Sequence, residues 1–266
     1  MSRYSKQGQR GFSLIEMLIV VAVLSLVLGA VFNTILDGMK KYRVEEMRVN
    51  TTQQSREFLD QIVRDLHSAG YPNQRMYTPA AIGVTPAQNS QYVAAGLVAV
   101  SATDVWFEGD VDDSGQVQSI RYTLQKNANG DCPCTMLRGT VIKVQGAPDA
   151  QNVTYNTQLQ NVINSTGGGT PYVIDGSTAF GGATVSNDTL YASYKTVPVF
   201  SFYDQNGNAI AVPNDLQGGN LNLGETAAAN VHIISVALNL LSANQDLQTH
   251  LRSGVSMRAM VKLNNL

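Results

Sequence analysis

Glu16 stands at the start of an apolar run, and no other charged residue occurs from position 17 to position 36. An ionised carboxylate in hydrocarbon costs roughly 2.5–3.5 kcal/mol or more, so such a residue calls for a partner. A cut after Gly11 would supply one, because it would place a new ammonium on Phe12, four residues from Glu16. Set against Glu16 of a neighbouring chain in a packed array, that ammonium would offset the desolvation of both groups and fix their register. The simpler alternative is a helix-start glutamate at the headgroup boundary, facing the helix dipole near Ser13.

Other chemically capable residues are sparse. Asp110, Asp112, Ser114 and Gly115 imitate the opening of an oxygen-ligand calcium loop, in which short acceptors alternate around a hard cation. The position that would need a bidentate glutamate holds Arg121, so a solvated hairpin turn is the favoured reading over a metal site. Cys132 and Cys134, separated by Pro133, are too few for a disulfide scaffold or a four-ligand zinc site. In a head outside the cytoplasm a disulfide between them is expected, as a clip on a turn and not as a redox centre. His67, His232 and His250 are scattered, and Gly167-Gly168-Gly169 lacks the Lys-Ser/Thr that completes a phosphate loop. No enzyme and no cofactor is expected.

The run Arg10-Gly11-Phe12-Ser13-Leu14-Ile15-Glu16-Met17-Leu18-Ile19-Val20 resembles the type III signal of the type IV pilin superfamily. That resemblance implies cleavage after Gly11 on the cytoplasmic side by a membrane aspartyl protease, methylation of Phe12, and a register-setting role for Glu16. It also implies partners: the prepilin peptidase and methylase, other pilins and minor pilins, and an assembly platform in the inner membrane. An ordinary secretory signal ending at Leu28-Gly29-Ala30 is the disfavoured route.

The elements that must position these residues follow from charge and periodicity. Residues 1–11 form a leader that carries Arg3, Lys6 and Arg10 and no acid, the type of segment that stays cytoplasmic. Residues 12–36 are long and apolar enough to span a bilayer as a helix. Lys40, Lys41 and Arg43 follow on the far side, but the nearer and wholly basic leader decides the orientation.

Residues 37–70 continue as an amphipathic helix, with Phe58, Leu59, Ile62, Val63 and Leu66 at three- and four-residue spacing. Arg56, Asp60, Gln61, Arg64 and Asp65 fall between them. No proline interrupts residues 12–69, and Gly70-Tyr71-Pro72 ends the run. A single helix of about 85 Å is expected, with Gly29 and Gly38 as local weak points.

Residues 71–266 read as a periplasmic β-rich head built on an antiparallel sheet, so the fold class is α+β. Strands are expected at residues 98–108, 117–124, 135–144, 197–203, 233–241 and 255–263, the last two half-buried. Pro198 places its strand at an edge or at its own start, and Asn206-Gly207 suits a hairpin. Residues 149–189, rich in Asn, Gly, Ser and Thr, read as a large loop excursion.

With 266 residues and a formal net charge of −2, the chain shows no basic field that would favour nucleic acid. Beyond the amino terminus, three segments resemble PilW-type minor pilins and their GspJ-type relatives. They are residues 105–115 with 120–124, residues 198–207, and the two final strands. The expected function is therefore a minor pilin, cut, methylated and assembled through its helix into a fibre or a tip complex. A pseudopilin of type II secretion and a pilus-borne adhesion module are the alternatives. The expected location is the inner membrane with a periplasmic head, then an extracellular pilus or a periplasmic pseudopilus.

Overall fold

The structure, a computed structural model, describes residues 13–126, 132–164, 197–244 and 252–264. Arg3, Lys6, Arg10, Gly11, Phe12, His250 and the glycines at 167–169 lie outside the described residues. A helix of 54 residues, α1 (Leu14–His67), joins a head in which every strand pairing is antiparallel. At about 1.5 Å per residue α1 is about 80 Å long. Among the described residues, the head buries α1 from Thr51 onward. Thr51, Ser55, Phe58, Leu59, Ile62, Asp65 and Leu66 are buried, and their spacing puts them on one face.

The strands run β1 (Leu97–Val100), β2 (Asp104–Gly109), β3 (Gln118–Gln125), β4 (Cys134–Ile142) and β5 (Thr154–Val162). They continue as β6 (Phe200–Tyr203), β7 (Ala209–Ile210), β8 (Ile233–Leu241) and β9 (Gly254–Lys262). Strands β1 to β5 form a consecutive meander, and β5 meets β8. β9 pairs along the whole of β8, while β6 pairs with both β7 and β8. Among the described residues the head also has two short α-helices, α2 (Pro79–Ile82) and α3 (Leu221–Ala228). α3 packs on β1 through Gly224, where an added Cβ would lie 2.8 Å from the Val100 carbonyl oxygen. The core joins Phe58, Ile62 and Leu66 of α1 to Phe107, Met136 and Leu238 of the sheet.

Four expectations need correction. The strand expected at residues 98–108 is a hairpin, because Ser101 and Asp104 turn the chain: Ser101 Oγ accepts the Thr103 and Asp104 N–H groups. The excursion at residues 149–189 contains nine-residue β5. Its pattern is hidden because Asn161 adopts φ 61° and the β4/β5 register shifts, which brings Leu159 and Val162 inside at a spacing of three. β8 is buried at every position but Ile233, not half-buried. It lies between β9 on one edge and β6 and β5 on the other, and its polar residues find partners, as where Asn239 Oδ1 accepts from Ser256 Oγ. Asp65, read as part of the polar face, is buried against the sheet.

Strand β6 begins two residues after Pro198 and lies between two partners, which selects the strand-start reading of that proline. Asn206-Gly207 does form the β6/β7 turn, with Gly207 at φ 83°. Where α1 ends, Gly70 also takes a positive φ of 79° and its N–H donates to the Glu108 carbonyl at 2.9 Å. Ala69 then bridges Gly109, so the end of the helix is stitched to β2. An added Cβ on Gly109 would lie 2.3 Å from the Ser68 carbonyl oxygen, closer than real atoms approach. Gly109→Ala is expected to destabilise the head by about 1–3 kcal/mol, because the backbone contact has no side chain that can yield. A denaturant melt of the variant reads this directly as a lower midpoint.

Candidate functional site: the amino-terminal helix

None of the described residues of the chain covers α1 from Leu14 to Met39. Leu14, Ile15, Leu18, Val21, Leu24 and Phe32 are exposed, as are the apolar residues between them on every side of the helix. Its most apolar 18-residue window has a mean hydropathy of 2.8, and none of that window is buried within the chain. A helix that is hydrophobic all round needs lipid or other helices as its surroundings. Its two hydroxyl residues suit such surroundings. Ser25 Oγ donates to the Val21 carbonyl at 2.8 Å and Thr34 Oγ1 to the Ala30 carbonyl at 3.0 Å, so neither needs water. Charge resumes with Asp37 and Lys40, 3.4 Å apart on the exposed surface.

Ser13 caps the helix in an extended conformation, and its side chain makes no capping bond. The first-turn N–H groups are therefore left to other acceptors, and Glu16, the acidic residue of that turn, complements their partial positive charge. Glu16 is exposed, and none of the ion pairs among the described residues involves it. Its carboxylate is thus available at the start of the helix for a group from outside the described chain.

The helix is held to the head by groups the spacing did not single out. Asp65 Oδ2 accepts from Tyr122 Oη at 2.6 Å and from Arg138 Nε at 2.8 Å, joining α1 to β3 and β4. Burial, with the Asp65 carboxylate added, pushes the Tyr122 phenol well above its usual range, so it remains a donor. Phe58 meets the Tyr122 ring edge-on at 5.8 Å. A second buried pair, Lys143 and Glu108, lies 2.5 Å apart with both side chains wholly enclosed. Lys143 Nζ also donates to the Gln88 and Val93 carbonyls, tying the segment before β1 to the sheet. Burial raises the Glu108 carboxyl and lowers the Lys143 ammonium, with each opposing the other's shift. Their partners lie 35 to 73 residues away in the chain, beyond the reach of any local pattern.

The remaining candidates from the sequence do not converge on the helix. Asp110 and Asp112 lie in the turn between β2 and β3, where Asp110 Oδ1 and Oδ2 accept the Ser114 and Gly115 N–H groups and Asp112 Oδ1 accepts that of Ser114. Cys132 and Cys134 are bonded to each other and buried at the entry to β4. If the bare helix is the membrane and assembly element, Leu24→Arg is expected to raise the cost of insertion by about 2.5–3.5 kcal/mol. Fractionation of cells, followed by alkaline extraction, would show the variant depleted from the integral membrane fraction while the head keeps its fold.

No match was found among curated proteins or among solved structures. Residues 6–32 match the prokaryotic N-terminal methylation motif, a segment that covers Lys6, Arg10, Gly11, Phe12, Glu16 and the first turns of the helix. The motif marks structural subunits and implies processing by prepilin peptidase and assembly with other pilins. With the long helix packed on an antiparallel sheet, it supports a type IV pilin-like or pseudopilin prepilin anchored in a membrane.

Proposed function

We propose that this chain is a minor pilin of a type IV pilus, cut between Gly11 and Phe12, methylated on Phe12, and assembled through α1 into the fibre or a tip complex. One observation carries the proposal: an apolar helical segment that none of the described residues of its head covers bears a carboxylate in its first turn. A hydrophobic surface of that extent must be buried elsewhere, first in the membrane and then among neighbouring helices. Glu16 then selects the axial register in which it meets the Phe12 ammonium of an adjacent subunit.

The Cys132–Cys134 bond supports a head on the oxidising side of the membrane, since such bonds persist in the periplasm and outside the cell. The segments in β2, β3, β6, β8 and β9 resemble PilW-type minor pilins and also their GspJ-type relatives, so a pseudopilin of type II secretion is the second reading. Cofractionation with sheared pilus fibres, as against loss of secretion on deletion, separates the two.

Mass spectrometry of the mature protein is expected to find methylated Phe12 at the amino terminus. A start at Val31 or an intact Met1 would remove the basis of the proposal. Glu16→Ala is expected to leave cleavage intact and to reduce incorporation into fibres by tenfold or more, read by immunoblot of sheared pili. Normal incorporation of that variant would refute the register role.

A further inference from the structure

The face of the sheet turned away from α1 carries a constellation separate from the helix and its amino terminus. Side chains alternate between faces along a strand, and Tyr122 and Arg138 point to the helix, so Arg121 and Gly139 point outward. The register aligns Trp106 of β2, Arg121 of β3, Gly139 of β4 and Tyr155 of β5 in one row across the sheet. Arg121 lies 5.5 Å from the centre of the Trp106 ring, and its Nη2 donates to Asp104 Oδ1 at 2.7 Å. Gly139 leaves the next place in the row to its neighbours on the following strand and loop: a Cβ there would lie 2.6 Å from Val153 Cγ2 and 2.9 Å from Tyr155 Cε1.

Beside this row is a cavity of about 580 Å³, within the roughly 300–1,000 Å³ range typical of small-molecule sites. One wall is the segment at residues 213–217, held in place where the Pro213 and Asn214 carbonyls accept from Ala102 N–H and Thr103 Oγ1. Its floor contains Arg121, whose Nε is buried and has no hydrogen-bond partner among the described residues.

We propose that this cavity binds a neutral carbohydrate of one or two rings. Its formal charges cancel: Arg121 is compensated by Asp104, whose second oxygen is filled by Ser101 and Thr103, and the lining's other two charged residues, Lys126 and Asp215, are of opposite sign. A net anion or cation therefore finds no excess of opposite charge. The lining offers hydroxyl, amide and carboxylate groups from Thr123, Gln125, Gln217 and Asp215, which match the paired donor and acceptor character of sugar hydroxyls. Tyr155 and Leu137 supply apolar surface for the C–H face of a ring. Whatever binds here meets rigid strands on one side and a tethered loop on the other, so little ordering is needed.

Trp106 is the chain's single tryptophan and lies against Arg121, so its fluorescence reports on the cavity floor. The test is titration of the full chain, in micelles of an amine-oxide detergent that carries no sugar, with glucose, galactose, mannose and N-acetylglucosamine. N-acetylneuraminate and acetate serve as charged comparators. A saturable change is expected with at least one neutral sugar, weakened tenfold or more in Tyr155→Ala and in Gln217→Ala, a rim residue exposed to solvent. Silence with every neutral sugar, a response confined to the charged comparators, or wild-type binding by a folded Gln217→Ala would each overturn the proposal. Circular dichroism establishes folding of both variants, and Gln217→Ala alone decides if Tyr155→Ala does not fold. None of these outcomes bears on assembly, which the mature amino terminus tests separately.

Discussion

From Leu14 to Met39, the apolar surface of the 54-residue helix is covered by none of the described residues of its own head. That imbalance organises the molecule. The uncovered part carries no charge between Glu16 and Asp37, and its serine and threonine hydroxyls are turned back onto the helix backbone. Hydrocarbon or other helices are the surroundings in which such a surface is stable. A carboxylate at the start of such a surface is costly in that medium for as long as it stays charged and unpaired.

The head has the opposite task of gripping the helix from Thr51 onward firmly enough to be carried by it. Two kinds of contact do this. Phe58, Ile62 and Leu66 enter the common core, while Asp65 takes hydrogen bonds from Tyr122 and Arg138 on two neighbouring strands. Breaking one member of such a buried group leaves the others unpaired, so it specifies how the helix sits on the sheet as well as stabilising it. At the top of the helix, the bridge from Ala69 to Gly109 ends the rod against β2 with no intervening side chain. The opposite face of the same strands is left free of the helix, and there the Trp106, Arg121 and Tyr155 row stands beside a cavity.

How much of this was legible beforehand depended on whether the signal was local. The long helix, its apolar first part and its buried stripe follow from spacings of three and four, which any single turn displays. β3, β4, β6 and β9 were found within a few residues of their places because their alternation is regular or their turns carry proline and glycine. β5 escaped because a residue in the left-handed region and a register shift break its alternation, and because its first four residues, Thr154 to Thr157, are exposed. The β1/β2 hairpin was merged into one strand because Ser101-Ala102-Thr103 contains neither glycine nor proline.

The sequence by itself determined the amino-terminal chemistry: a glycine junction, a glutamate four residues past Phe12, and twenty uncharged positions that admit one kind of environment. Composition and order suffice there because helix geometry relates neighbouring residues without help from the rest of the chain. Only the tertiary structure decided that Asp65 belongs to the core and not to the solvent face, and that Lys143 reaches Glu108. It alone decided that Val153 and Tyr155 take the place that Gly139 leaves beside Arg121. Those relations depend on strand register, which is set by the pairing of distant segments and is not written in any local spacing.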